Sequence, residues 1–248
     1  MIPPVFYSSP DLFADTTVKL SKDELHHAIR VMRLKAGMPV VVVDGQGRAI
    51  RGELISLRDK DPAHVRIMHT VRNYGEPLIN MTLASGLSTA SKFDDVVQRG
   101  TELGVSRFVP ILTEKSKVKM EDPKRVQSRV KRLEKVALAA MKQCRRSYRP
   151  DIESPCRLDG FLSQTEATAV NLLFHPGGTK SLDEIVPDRN VRRVSVLVGP
   201  ESGFTDDEIE LAIQSGYRTV SLGQRILRTE TAGPVICGLI MHLLGELR

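Results

Sequence analysis

Residues 194–232, VSVLVGPESGFTDDEIELAIQSGYRTVSLGQRILRTETA, constrain the fold more than any other stretch. Val194, Val196, Leu197 and Val198 form a short apolar run, which predicts a strand buried on both faces of a parallel sheet. Gly199-Pro200-Glu201-Ser202-Gly203 breaks the run. Thr205 followed by Glu208 is then a capping box, so the spacing predicts a helix over 206–214, with its acidic first turn suited to the helix dipole and Gly216 as its stop. A second strand over 219–222 stops at Gly223, and Arg225, Arg228, Glu230 and Thr231 follow before another helix. In open α/β sheets ligands sit at the carboxyl ends of the strands, so both glycine loops would border one crevice. The plainer alternative is that the glycines only punctuate βα connections.

Upstream, the pattern repeats. Residues 78–85 read as a strand, 92–103 as a helix and 108–112 as the next strand, an alternation that implies a parallel sheet. Asp122-Pro123 starts a helix whose Val126, Val130, Leu133, Ala137, Met141 and Cys144 recur at helical spacing as a core-facing stripe. Residues 170–174 form another buried strand, ending in His175-Pro176-Gly177-Gly178, a third strand-end loop. His175 is read as structural in preference to catalytic. Loops of glycine and proline expose backbone N–H and C=O groups suited to the donor and acceptor edge of adenine. No G-x-G-x-x-G follows a strand, so the Rossmann dinucleotide fingerprint is missing.

The amino-terminal part reads differently. Residues 40–43, then Asp44-Gly45-Gln46-Gly47, then 49–57 form a hairpin signal, because Asp-Gly supplies the positive φ angles of a tight turn. A third strand covers 63–71. Ser21 and Glu24 make a capping box for a helix through about Arg33, ending near Gly37, with Arg30, Arg33 and Lys35 projecting from its end. His26 and His27 are adjacent and lack metal-ligand spacing. Asn73-Tyr74-Gly75-Glu76-Pro77 is the linker, so the domains are expected at 1–72 and 78–248.

Composition matters mainly through charge. Residues 115–149 carry 13 Lys and Arg against three acids, a net +10 within a chain of +6, which leaves the remainder at −4. Such a concentrated basic block is the electrostatic footprint of a protein that contacts phosphates, set against the alternative of a solvated helix face. Three cysteines without C-x-x-C spacing support neither a zinc site nor a disulfide framework. No apolar run reaches 18 residues and the start lacks a basic, apolar leader, so a cytoplasmic protein outside the membrane is expected. The last helix, over 231–247, is apolar nearly all round and must be buried on more than one side.

The segments 197–203 and 222–232 resemble the RsmE family of 16S ribosomal RNA uridine-N3 methyltransferases, in the SPOUT superfamily. Glu102-Leu103-Gly104-Val105, Gln143-Cys144 with Arg146, and the segment 26–44 extend the likeness over most of the chain. Two departures stand out: Ser202 where the family commonly has glycine, and Arg145 where it often has glycine. A serine holds that turn provided its φ is negative.

The resemblance implies an α/β fold made of an amino-terminal PUA-like β-barrel and a SPOUT domain with a parallel sheet and a trefoil knot over about 170–232. In that fold three loops, here 173–178, 197–203 and 222–228, clasp S-adenosylmethionine. The implied cofactor-binding residues are Leu173, His175, Pro176, Leu197, Gly199, Pro200, Glu201, Gly203, Leu222, Gly223, Ile226 and Leu227. Arg228 is the leading catalytic residue, ahead of Glu230 and Glu201. The expected RNA contacts are Arg30, Arg33, Lys35, Arg129, Arg132, Arg145 and Arg146. The implied partners are 16S rRNA or the small ribosomal subunit and a second copy in a homodimer, with no metal. Two alternatives remain: a SPOUT enzyme acting on another base or a ribose 2′-hydroxyl, and a non-catalytic basic ribosome-assembly protein.

Overall fold

A hairpin signal and a βα alternation within one chain call for two cores, and the computed structural model divides accordingly. It describes residues 2–56, 63–88, 90–116, 122–166, 169–178, 180–185 and 191–247. Contacts group Met1–Glu76 with Leu138–Arg149 as one unit, and Pro77–Ala137 with Pro150–Arg248 as the other. The first unit thus takes a second piece from inside the segment expected to belong wholly to the other domain.

The first unit contains β1 (Val5–Tyr7), β2 (Thr17–Lys19), α1 (Lys22–His26), β3 (Pro39–Val43), β4 (Arg48–Ser56) and β5 (His64–Arg72). Among the described residues these strands pair in the order β1-β3-β4-β5-β2, a curled five-stranded sheet of half-barrel form. The hairpin forms in the expected register, with Val43 opposite Ala49. Gly45 and Gly47 take φ of 75° and 92°, and the Asp44 carboxylate accepts the N–H groups of Gln46 and Arg48. The expected end of β4 at Leu57 lies outside the described residues. The predicted helix to Arg33 is shorter: α1 passes into a π turn, His27–Val31, and Arg33 adopts φ of 53°, which ends it.

The second unit runs β6 (Asn80–Gly86), α2 (Ala90–Glu102), β7 (Arg107–Leu112), α3 (Pro123–Cys144), β8 (Asp151–Ile152), β9 (Cys156–Arg157), α4 (Leu158–Leu162), β10 (Val170–Phe174), α5 (Leu182–Ile185), β11 (Arg193–Val198), α6 (Asp206–Gln214), β12 (Arg218–Val220) and α7 (Thr229–Leu243). Its parallel strands order as β12-β10-β11-β6-β7-β8. One face packs on α2, α3 and α7 through Phe93, Val97, Leu133, Ile236 and Ile240. The other packs on α4 and α6 through Phe161 and Ala212. Covering on both faces is why the end of β11, Val196–Val198, reads as a continuous apolar run. The chain passes from β10 to β11 and then returns to β12 on the far side of β10, so the strand order reverses there, which is where open sheets hold ligands.

The apolar stripe of α3 divides by position: Leu133 and Ala137 are buried in the second unit, while Met141 is buried against Val41 and Val43 of the first. No helix among the described residues is long and apolar enough to cross a membrane.

Candidate active site at the strand ends

Because β10, β11 and β12 are parallel and in register, Phe174, Val198 and Val220 end at one edge of the sheet. The loops that follow them enclose a cavity of about 350 Å³. Backbone packing makes this possible. A Cβ on Gly178 would lie 2.3 Å from the Val220 carbonyl carbon, so only glycine lets the first loop approach the third. Ser202 has no positive φ, and its hydroxyl donates to the Lys115 carbonyl at 2.9 Å, so serine is accommodated in this turn. Thr205 and Glu208 form the capping box that starts α6 directly after the middle loop.

The cavity gathers His175, Pro176, Gly199, Pro200, Glu201, Gly203, Leu222, Gly223, Ile226 and Leu227 from the expected set. Leu173 and Leu197 are not among its walls. Both are fully buried on the α4/α6 face, and their successors Phe174 and Val198 line the cavity instead. Strand side chains alternate between faces, and an all-apolar run does not reveal which parity faces a ligand. Phe204, Ile209, Val220, Ser221, Thr229, Ala232 and Ile236 also line it. The Thr229 hydroxyl donates to the Gly199 carbonyl at 3.4 Å, tying the start of α7 to the middle loop.

His175 accepts the Gly177 N–H on Nδ1 at 3.2 Å, and burial holds its imidazole below the ordinary 6.5, in the neutral form. Arg228 precedes α7 as its exposed N-cap residue. Glu230 is partly buried, and its Oε2 is shielded from solvent with no hydrogen-bond partner. Glu201 is exposed but engaged: Lys92 Nζ of α2 donates to its Oε1 at 2.5 Å. That bond raises the Lys92 pKa, burial lowers it, and the charges of Glu201 and Glu230 raise it against Arg228. Lys92 therefore sits within the field of all three expected catalytic residues. A cation in the first turn of a helix opposes the dipole, and this was the sequence signal for it.

α2 also reaches α7. Pro234 has no N–H, so the carbonyl of Glu230 four residues earlier loses its helical donor, and Arg99 Nη1 donates to that oxygen at 3.3 Å. Gly86, at the end of β6, is the other residue the sequence did not mark: a Cβ there would lie 2.2 Å from Pro200 N.

The expected RNA contacts fare unevenly. Arg30, Arg33 and Lys35 are exposed on the first unit. Arg129 is half-buried, donating to the Ser88 carbonyl at 2.7 Å; burial pulls its guanidinium below the ordinary value, with Asp94 opposing. Arg132 is paired with Asp94. Arg146 is 3% exposed and pairs with Glu76 at 2.9 Å, so its guanidinium is a buried structural group. Arg145 adopts φ of 68°, the left-handed conformation that glycine takes without strain, and donates to the Pro3 carbonyl. Lys117, Lys119 and Glu121 of the basic block lie outside the described residues. Among the described residues no three His, Cys, Asp or Glu side chains are grouped to hold a metal ion.

A family model described as RNA methyltransferase domain matches residues 75–241, and one described as RNA methyltransferase PUA domain matches 20–68. A ribosomal RNA small subunit methyltransferase E from Synechocystis is 33% identical over 95% of this chain and 76% of its own length. The chain belongs to the RsmE family of RNA methyltransferases. A ribosomal RNA small subunit methyltransferase E from Bacillus subtilis is 29% identical, covering 87% of this chain and 86% of its own length. Two solved structures each superpose with a TM-score of 0.86 at 26% identity over 98% of both chains. One is a ribosomal RNA small subunit methyltransferase E from Neisseria gonorrhoeae bound to S-adenosyl methionine, the other a methyltransferase from Legionella pneumophila with the same cofactor. The chain is thus an S-adenosylmethionine-dependent methyltransferase built from a PUA domain and an RNA methyltransferase domain.

Proposed function

We propose that this protein transfers the methyl group of S-adenosylmethionine to N3 of a uridine in 16S ribosomal RNA, in the cytoplasm and as a homodimer. The observation that carries the reading is the convergence of three strand-end loops on one cavity of about 350 Å³, within the size range of small-molecule sites. Its composition fits the cofactor. Backbone groups of the Gly199 and Gly223 turns suit an adenine edge, while Phe174, Val198, Leu222 and Leu227 offer apolar walls. The bound cofactor would supply an electrophilic methyl group.

The chain's own residues would handle the charge. Uridine N3 is an imide nitrogen whose proton must leave, so transfer needs a proton acceptor or stabilisation of the anion that develops on the uracil oxygens. Arg228, always protonated, serves the second role, in which preorganised charge often contributes more than proton transfer. Glu230 and Glu201 stand as the candidate proton acceptors. Lys92 occupies one oxygen of Glu201, which favours Glu230 between the two.

RNA phosphates would be met by Arg30, Arg33 and Lys35, and by the exposed Lys124, Arg125, Lys131 and Lys135 of α3. Arg129, Arg132 and Arg145 contribute less because their guanidinium groups are already engaged. A partner copy would cover Val235 and Leu239, 41% and 42% exposed, whereas Ile236 and Ile240 are buried in the monomer core. The return of β12 past β10 supports the knot that the family resemblance implies. Calorimetric titration with S-adenosylmethionine in the presence of chelator tests the reading. One-to-one binding per chain is expected, and folded protein that binds none refutes it.

A further inference from the structure

The loops of the cavity are not held by the sheet alone. α2, outside the three loops, touches the middle loop and the first turn of α7 through basic residues seven positions apart and therefore on one helical face. Arg99 donates to the Glu230 carbonyl that Pro234 leaves without a helical donor, fixing α2 to the first turn of α7. Lys92 grips the Glu201 carboxylate at the tip of the middle loop at 2.5 Å. The body of α2 is anchored in the core by Phe93, Val96 and Val97, each fully buried. Glu201 sits between Pro200, which touches Gly86, and Gly203, whose φ of 70° turns the loop back.

We propose that Lys92 is a positioning residue of the methyl-transfer site: by holding Glu201 it fixes the middle loop relative to the start of α7, and so sets the shape in which the cavity receives its cofactor. The inference rests on the reading of this cavity as a S-adenosylmethionine site. The raised pKa of Lys92 keeps the ammonium charged across the neutral range, so the contact persists wherever the enzyme would work. Its strength is bounded by exposure. Both side chains are about one-third to two-fifths exposed, and such pairs contribute at most about 1 kcal/mol.

The test is a double-mutant cycle on cofactor affinity, measured by calorimetry with S-adenosylmethionine on the full chain, with melting temperature as the folding control. Lys92→Met is expected to weaken binding about fivefold, the upper end for an exposed pair, with melting near wild type. Lys92→Arg, which keeps the charge, is expected to stay within about twofold of wild type. In a Glu201→Gln background, Lys92→Met is expected to have no further effect. Wild-type affinity in Lys92→Met overturns the proposal, and so does an equal loss in the Glu201→Gln background, which would mean that Lys92 acts directly on the cofactor. If Lys92→Met melts early, Glu201→Gln decides alone, since a loss of similar size supports the pair and wild-type binding overturns it. A wild-type protein that binds no cofactor sinks the functional reading itself, a result distinct from all of these.

Discussion

Gly86→Ala is the substitution from which most can be worked out. Gly86 pairs with Ile111 in the sheet and has no positive φ, so alanine is conformationally acceptable and would gain about 0.4–1 kcal/mol by restricting the unfolded chain. Against that, the new methyl group would lie 2.2 Å from Pro200 N, 2.4 Å from its Cδ and 2.7 Å from its Cα. Normal contact is about 3.5 Å, so the sheet edge and the middle loop must separate by about 1 Å. These atoms belong to the backbone and a proline ring, with no flexible side-chain end to yield. Overpacking of this kind costs about 1–3 kcal/mol, which exceeds the entropic gain and leaves a net loss of about 1–2 kcal/mol. The same displacement moves Gly199 and Glu201, and a misplacement of about 1 Å can lower catalysis about 100-fold. The assay pairs thermal melting with methyl transfer. Gly216→Ala is the control: its φ of 89° costs a side chain stability, but nothing lies within 4 Å and it is outside the cavity. It should lower melting while leaving transfer intact. A Gly86→Ala protein with wild-type melting and turnover would refute the close approach of β6 to the middle loop.

Three further outcomes are expected. Arg145→Val should lose about 2 kcal/mol in denaturant unfolding, because a β-branched residue tolerates φ of 68° poorly; Arg145→Gly should be near neutral, relief of strain offsetting a lost hydrogen bond. Cofactor affinity and stability should both fall as pH drops below 6.5. His175 has a lowered folded pKa, so in that window the unfolded chain binds more protons, and protonation removes the Nδ1 acceptor for Gly177. Leu239→Asp should shift the mass in light scattering from dimer to monomer, since a buried unpaired charge at a subunit contact is costly; unchanged mass with full activity would remove α7 from the interface.

What the sequence carried and what it did not follow from the range of each signal. Local signals succeeded: β10, α6 and the hairpin at Asp44 appear where apolar runs, the Thr205–Glu208 box and Asp-Gly predicted them. Ten of the twelve expected cofactor residues line one cavity because they lie in loops, and loops after parallel strands share an edge. Leu173 and Leu197 face the other way because a continuous apolar run is silent on parity. Gly86 and the partners of Lys92 and Arg146 were hidden for a different reason. Lys92 meets Glu201 across 109 positions and Arg146 meets Glu76 across 70, so charge counts along the chain cannot tell a paired arginine from a solvated one.

The most direct test of the account is the fate of the methyl group. Purified protein is incubated with labelled S-adenosylmethionine and small ribosomal subunits from cells lacking the gene, and the modified nucleoside is identified by mass spectrometry. Label in 3-methyluridine of 16S rRNA is expected, with Arg228→Ala about 100-fold slower at unchanged cofactor affinity, the scale of losing one anion-stabilising donor. Label in a ribose 2′-methyl group, or no transfer by protein that binds the cofactor, would contradict it.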